Sequence, residues 1–132
     1  SKSVTCWGSG SPKREFLYVD DLASACVFAL EKWNPNLNNA PKDNLGEPLF
    51  FLNVGSGIDI SINHLAHLIS KKIGYEGDIL WDITKPDGTP KKLLNIERIK
   101  KLGWMPETSL EKGLMNTLGF FYDEIKNNNL RL

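Results

Sequence analysis

The sequence has few cysteines, no long apolar segment and no excess of charge of either sign. Cys6 and Cys26 are its two cysteines, too few for a disulfide framework, and no Cys-x-x-Cys or Cys/His cluster predicts a zinc site. No apolar run approaches the roughly 18–20 residues that span a bilayer, and no signal-peptide pattern opens the chain. Sixteen Lys and Arg balance sixteen Asp and Glu, whereas a nucleic-acid binder normally carries a basic excess. We therefore expect a soluble, cytoplasmic protein without a metal, a membrane or a nucleic acid as partner.

What is present suits a folded domain. The 132 residues are 41% hydrophobic and 24% charged, a mixture typical of globular proteins and not of disordered chains. The chain begins Ser1-Lys2-Ser3 without a methionine. We expect a fragment of a longer protein.

The first half of the chain alternates between polar and apolar segments. Residues 4–16 are predicted as a loop and 15–19 as a short strand. A helix follows, with Asp20 or Asp21 as its N-cap and Cys26 on its buried face. After an irregular connection over 34–48, the nearly continuous apolar run 49–54 predicts a strand buried on both faces.

Capping residues mark the elements of the second half. Ser61 is predicted to begin a helix that ends at Gly74, and 78–82 is predicted as a strand. A short helix is predicted to end at Gly103, and Ser109 to cap the last helix. The alternation predicts an α/β fold, with an α+β-like arrangement for a fragment.

Two glycine pairs resemble parts of a phosphate-binding loop. Gly55-Ser56-Gly57 lies between a predicted strand and a predicted helix, but Ile60 stands where the third glycine of a dinucleotide fingerprint belongs. Gly8-Ser9-Gly10 also lacks a third glycine and precedes no helix. We interpret both as structural turns.

Two further spacings are weak indications of chemistry. Tyr122 and Lys126 match Tyr-x-x-x-Lys, the catalytic pair of short-chain dehydrogenases, but an asparagine-rich tail follows them and no fingerprint precedes them. His64 and His67 share a helix face without a third metal ligand nearby. Chance spacing and surface histidines are the favoured interpretations.

Two polar loops are better candidates for a binding site. Residues 7–14 combine an aromatic ring, flexible amides and two cations, and 85–92 combine a rigid turn, a carboxylate and lysines. If the loops converge, they form a pyrophosphate clamp with a group that reads hydroxyls. The alternatives are an ordinary turn at 85–90 and an ion pair of Arg14 with Glu15 or with a helix carboxylate.

At these residues the chain resembles the C-terminal part of the GDP-L-fucose synthases, which belong to the extended short-chain dehydrogenase/reductase family. R-E-F-x-x-V-D-D is shared by many nucleotide-sugar epimerases and dehydratases, whereas W-G-x-G-x-P-x-R-E-F and K-P-D-G-T-P-x-K-L-L are more specific to this branch. The matching stretches are WGSGSPKREFLYVDDLA at 7–23, NVGSG at 53–57, KPDGTPKKLL at 85–94, LGW at 102–104 and SLEKGL at 109–114.

The resemblance implies a substrate-binding role for four residues. Trp7 would contact the nucleotide-sugar, Arg14 the pyrophosphate, Asp87 a polar group of the substrate and Lys92 a phosphate. The family converts GDP-4-keto-6-deoxy-D-mannose to GDP-L-fucose by 3,5-epimerisation and NADPH-dependent 4-reduction. An acid and a base invert each centre through an enolate, because the ketone acidifies the neighbouring C–H bonds.

The family's catalytic and NADP-binding residues precede the region that corresponds to Ser1. Residues 1–132 are therefore expected to be the C-terminal substrate-binding portion with pieces of the Rossmann sheet, without the NADP-binding domain, catalytic residues or bound NADP(H). The full-length enzyme is expected to be a homodimer. The fragment is expected to self-associate, to exchange segments or to rearrange, because the strand at 49–54 and its helix would otherwise expose apolar surface.

Two other functions agree with the same residues. The chain could be a stand-alone nucleotide-sugar-binding module without chemistry, or part of another epimerase or dehydratase that uses a different nucleotide.

Overall fold

A computed structural model describes residues 2–129. The chain divides into two compact units that alternate along the sequence. The first unit consists of Ser1–Lys13, Ile60–Lys91 and Thr108–Leu132, and the second of Arg14–Asp59 and Lys92–Glu107. Helices and strands are mixed, as predicted for an α/β fragment. In the described part of the chain, no helix is long and apolar enough to cross a membrane.

Nine elements are assigned within these residues. The strands are β1 (Ser3–Trp7), β2 (Lys13–Glu15), β3 (Asp59–Ser61), β4 (Asp78–Asp82) and β5 (Lys91–Lys92). The helices are α1 (Val19–Lys32), α2 (Ile62–Ile73), α3 (Glu97–Leu102) and α4 (Leu110–Lys126). β1 pairs in parallel with β4, from Ser3 opposite Asp78 to Trp7 opposite Asp82. A second sheet has the order β3-β2-β5.

The caps of α2 form as the sequence predicts. The Ser61 side chain accepts a hydrogen bond from the His64 backbone N–H at 3.1 Å, which satisfies one of the unpaired donors of the first turn. Gly74 ends the helix at a φ of 66°, the left-handed conformation that glycine adopts without steric cost. Within the first unit α2 packs on α4, and Lys72 forms an ion pair with Glu111 at 2.9 Å.

The apolar core of the second unit is small. It consists of Ala25, Ile96, Ile99 and Trp104. The Trp104 indole N–H donates to the Ser24 hydroxyl at 3.0 Å, so the buried ring keeps a polar partner. Gly103, with a φ of 111°, ends α3 where the sequence predicted. These contacts hold α1 and α3 together.

The strand predicted over 49–54 does not form. Those residues lie in irregular backbone, and the Phe50 and Phe51 side chains are 71% and 60% exposed. A strand that is buried on both faces needs partners for its backbone N–H and C=O groups. Residues 2–129 supply no strand beside this segment. The apolar run therefore indicated the right composition for a buried strand but the wrong local structure.

Three other predictions in the N-terminal part were wrong. Residues 4–16 are not a continuous loop, because β1 and β2 occupy most of them. The strand predicted over 15–19 does not form, because β2 ends at Glu15. The N-cap of α1 is Tyr18, whose side chain makes no capping hydrogen bond. Asp20 and Asp21 lie in the first turn of that helix, where carboxylates still suit its positive end.

Asp21 and Cys26 show why the helix face was misjudged. Asp21 is buried and accepts a hydrogen bond from the Glu107 N–H at 3.3 Å, so a backbone donor holds it inside. Ala25 takes the fully buried position on α1. Cys26, about 100° further round the helix, is exposed rather than buried.

Candidate functional site

The loops after β1 and β4 meet in the first unit. Because these strands are parallel, their carboxyl ends lie at one edge of the sheet. The Ser9 backbone N–H donates to Asp87 Oδ1 at 2.8 Å and the Ser9 hydroxyl to Asp87 Oδ2 at 2.6 Å. The Lys13 N–H donates to the Pro90 carbonyl at 2.8 Å. Residues 8–13 and 83–90, hereafter the paired loops, therefore lie together. They overlap the loops 7–14 and 85–92, for which the sequence hypothesis required convergence.

Asp87 is the residue that ties these loops together. The hydrogen bond from the Ser9 hydroxyl, and after it that from the Ser9 N–H, lower the pKa of the Asp87 carboxyl. The group is thus a carboxylate at neutral pH. A carboxylate has about four acceptor positions, so two bonds from Ser9 leave capacity for a ligand hydroxyl. A Cβ at Gly8, where φ is 81°, would collide with this carboxylate.

Trp7, the last residue of β1, presents a largely free ring. Its side chain is 75% exposed, and Lys85 Nζ lies 5.5 Å from the ring centroid. That geometry is a cation–π contact. An exposed indole suits stacking against a sugar or a base, while the ammonium beside it suits a phosphate. No sequence pattern predicts this contact, because the two residues lie far apart along the chain.

Arg14 and Lys92 belong to the second unit, whereas Trp7 and Asp87 belong to the first. Arg14 is half-buried in β2, and Lys92 is exposed in β5. β2 and β5 are neighbours in the three-stranded sheet. The sheet therefore brings two cationic strands side by side.

The turn at Gly55-Ser56-Gly57 binds a carboxylate of the protein itself. Glu15 Oε1 accepts the Gly57 N–H at 2.6 Å, and Glu15 Oε2 accepts the Leu94 N–H at 3.0 Å. A dinucleotide pyrophosphate would need such N–H groups and would be repelled by the carboxylate. Among residues 2–129 the turn therefore holds a carboxylate of the protein, as a structural turn would.

The two remaining motifs do not assemble a site in the described part of the chain. Tyr122 and Lys126 are exposed on α4. His67 Nδ1 lies 2.9 Å from the Asn63 carbonyl oxygen, an ordinary contact within α2. No group of three or more His, Cys, Asp or Glu among residues 2–129 could hold a metal.

Comparison with known proteins identifies the relatives of this chain. Residues 1–40 match the model of the NAD dependent epimerase/dehydratase family. GDP-L-fucose synthase 1 of Arabidopsis thaliana is 42% identical over 127 residues, 96% of this chain and 35% of that protein. GDP-L-fucose synthase of Escherichia coli strain K12 is 44% identical over 120 residues, 91% of this chain and 36% of that protein. The chain is a homologue of the GDP-L-fucose synthases.

This homologue spans about a third of the length of the curated GDP-L-fucose synthases it matches. Its fold resembles that of MlghC, a GDP-mannoheptose C4 reductase from Campylobacter jejuni with NADP bound. The TM-score is 0.75 at 26% identity, over 92% of this chain and 35% of that one. The α/β assignment made from the sequence is confirmed.

Proposed function

We propose that residues 1–132 are the C-terminal, GDP-sugar-binding part of a GDP-L-fucose synthase. The similarity over more than nine-tenths of the chain carries this proposal. The end of β1 and the paired loops support it, because together they place the Trp7 ring, the Asp87 carboxylate and the Lys85 ammonium at one edge of a sheet. The substrate of the full-length enzyme would be GDP-4-keto-6-deoxy-D-mannose and its product GDP-L-fucose.

Each proposed contact follows from the chemistry of the group. Arg14 holds the pyrophosphate, since a guanidinium matches two phosphate oxygens at once. Lys92 adds a second positive charge on the neighbouring strand. Trp7 lies against a ring of the nucleotide-sugar, and the carboxylate of Asp87 accepts a hydrogen bond from a hydroxyl or amino group.

The catalytic steps are assigned to the rest of the enzyme. NADPH supplies the hydride for the 4-reduction when bound there, in agreement with the NADP in the related heptose reductase. We assign no catalytic residue, cofactor or metal to residues 1–132. The full-length enzyme is proposed to be a cytoplasmic homodimer.

Titration of the chain with GDP and with UDP tests the nucleotide assignment. GDP is expected to bind more tightly than UDP, measured by isothermal titration calorimetry. Arg14→Ala is expected to weaken GDP at least about tenfold, because a charged hydrogen bond to phosphate is lost. Arg98→Ala, an exposed arginine of α3 in the same unit, is the matched control. Unchanged GDP affinity in Arg14→Ala would remove the phosphate role of that residue.

The alternative of another nucleotide-sugar enzyme makes a different prediction. Equal or tighter binding of UDP would favour an epimerase or dehydratase that acts on UDP-sugars. The structural similarity to a GDP-mannoheptose reductase instead favours an enzyme that binds GDP linked to a different sugar. Competition between GDP-L-fucose and GDP-mannose for the chain separates these sugars at constant nucleotide.

A stand-alone binding module is the remaining alternative. Sequencing of the gene upstream of Ser1 tests it. A continuous frame that encodes a nucleotide fingerprint and a Tyr-x-x-x-Lys pair supports the proposal, and a start codon directly before Ser1 contradicts it.

A further inference from the structure

Glu15 is bound by two separate segments of the second unit. Its Oε1 accepts the Gly57 N–H at 2.6 Å and its Oε2 the Leu94 N–H at 3.0 Å. The Ser56 hydroxyl lies 3.5 Å from Oε1. Charge-assisted bonds of this kind are stronger than neutral ones. We call this arrangement of Gly55, Ser56, Gly57 and Leu94 around the carboxylate the Glu15 cradle.

Position 55 of the cradle accepts only glycine without displacement of Glu15. A Cβ built on Gly55 would lie 2.5 Å from Glu15 Oε1 and 2.8 Å from its carboxyl carbon. The glycine thus permits the carboxylate to lie directly against the backbone. In the Gly55-Ser56-Gly57 motif, this glycine allows the backbone to approach the Glu15 carboxylate and not a dinucleotide.

The cradle fixes the two strands that carry the proposed phosphate ligands. Arg14 precedes Glu15 in β2, and consecutive side chains of a strand point to opposite faces. A fixed Glu15 therefore determines the orientation of Arg14 on the other face. Lys92 ends β5 two residues before Leu94, so the bond to the Leu94 N–H restrains the end of that strand as well.

We propose that Glu15 is a positioning residue, which acts through the Glu15 cradle to set the orientation of Arg14 relative to Lys92 for a pyrophosphate. This inference rests on the proposed function, because it deepens the assignment of the phosphate ligands. Glu15 itself touches no phosphate. Its two carboxylate oxygens accept backbone N–H groups.

Glu15→Gln is the direct test. The amide oxygen of Gln accepts one N–H, but its NH₂ group opposes the other. The affinity of the chain for GDP and for guanosine is measured by NMR titration in the wild type, Glu15→Gln and Glu31→Gln. Glu31 is an exposed glutamate of α1 in the same unit and is the matched control. A thermal melt of each variant establishes that it is folded.

We expect Glu15→Gln to lower the affinity of the chain for GDP about tenfold and to leave its affinity for guanosine unchanged. A general structural defect would weaken both ligands, so the ratio of the two affinities isolates the effect on phosphate. Equal GDP affinity in Glu15→Gln and the wild type overturns the inference. If the wild type itself does not prefer GDP to guanosine, the proposed function fails instead.

Gly55→Ala provides a second route if Glu15→Gln does not fold. It keeps the carboxylate but displaces it from the turn, and it is expected to reduce the preference for GDP in the same way. Where both single variants fold, their effects should not add in the double variant, because both act through one contact. Full additivity would show that the two residues act independently, against the proposal.

Discussion

At the scale of single residues, the paired loops depend on one ionised side chain. Asp87 binds Ser9 through both the backbone N–H and the hydroxyl, and these donors lower its pKa from the ordinary value. The same carboxylate is a proposed ligand for the substrate. A residue with both functions couples the shape of the site to its charge, so its protonation should disturb loop geometry and binding together.

The lowered pKa of Asp87 predicts how its contribution to stability depends on pH. The folded state favours the charged form, so this contribution is complete above the ordinary pKa of 3.8 and is lost as pH falls through the lower folded value. Asp87→Asn should therefore melt below the wild type at neutral pH, and the difference should shrink as the pH falls below 3.8 and through the lower folded value. Asp123→Asn, on exposed α4, is the control. A difference that is constant with pH would contradict this role of the charge.

At the scale of elements, the helix ends of the second half of the chain were predicted correctly, whereas the N-cap of α1 and the strand over 49–54 were not. Four helix ends were predicted from their capping residues, and each cap depends only on neighbours a few residues away along the chain. The capping residues are Ser61, Gly74, Gly103 and Ser109. The run at 49–54 failed because a strand requires neighbours that sequence pattern does not specify. The candidate site shows the same difference between local contacts and contacts between distant segments. The sequence indicated the two polar loops but left their convergence open, and it did not indicate the Glu15 cradle. Both arrangements join segments that lie about 40 to 80 residues apart along the chain.

The cap of α2 predicts a measurable loss of stability. Ser61→Ala removes the acceptor for the His64 N–H and should lower the free energy of unfolding by about 1 kcal/mol. Urea denaturation measures this value. Ser61→Asp retains a capping oxygen and should stay close to the wild type, so an equal loss in both variants would point to a cause other than the cap.

Replacement of Gly119 within α4 by alanine is predicted to increase stability. No atom lies within 4 Å of a Cβ built there, and glycine in a helix interior costs about 0.5–1 kcal/mol relative to alanine. Gly119→Ala should raise the free energy of unfolding by roughly that amount. The same change at Gly55 should destabilise, because its Cβ would meet Glu15. Urea denaturation of the two variants compares an open site with a filled one.

At the scale of the whole molecule, several large apolar side chains of the described residues are exposed to solvent. Leu30 of α1 is 87% exposed, and Phe50 and Phe51 remain mostly in contact with solvent. Contiguous apolar patches of more than a few hundred Å² on a monomer mark surfaces that bind another protein. The curated relatives are about three times as long as this chain, and their additional residues are candidates to cover such surface.

Isolated residues 1–132 are therefore predicted to self-associate through this exposed surface. Sedimentation velocity should show a mass that rises with concentration, because burial of a phenylalanine gains about 1.5–3 kcal/mol. Replacement of both Phe50 and Phe51 by serine should weaken the association at least about tenfold. Leu45→Ser, which removes an exposed leucine from the irregular segment 34–48, is the control. A chain that stays monomeric at every concentration and melts in one sharp transition would mean that the exposed phenylalanines are tolerated in water and that no partner is needed to cover them.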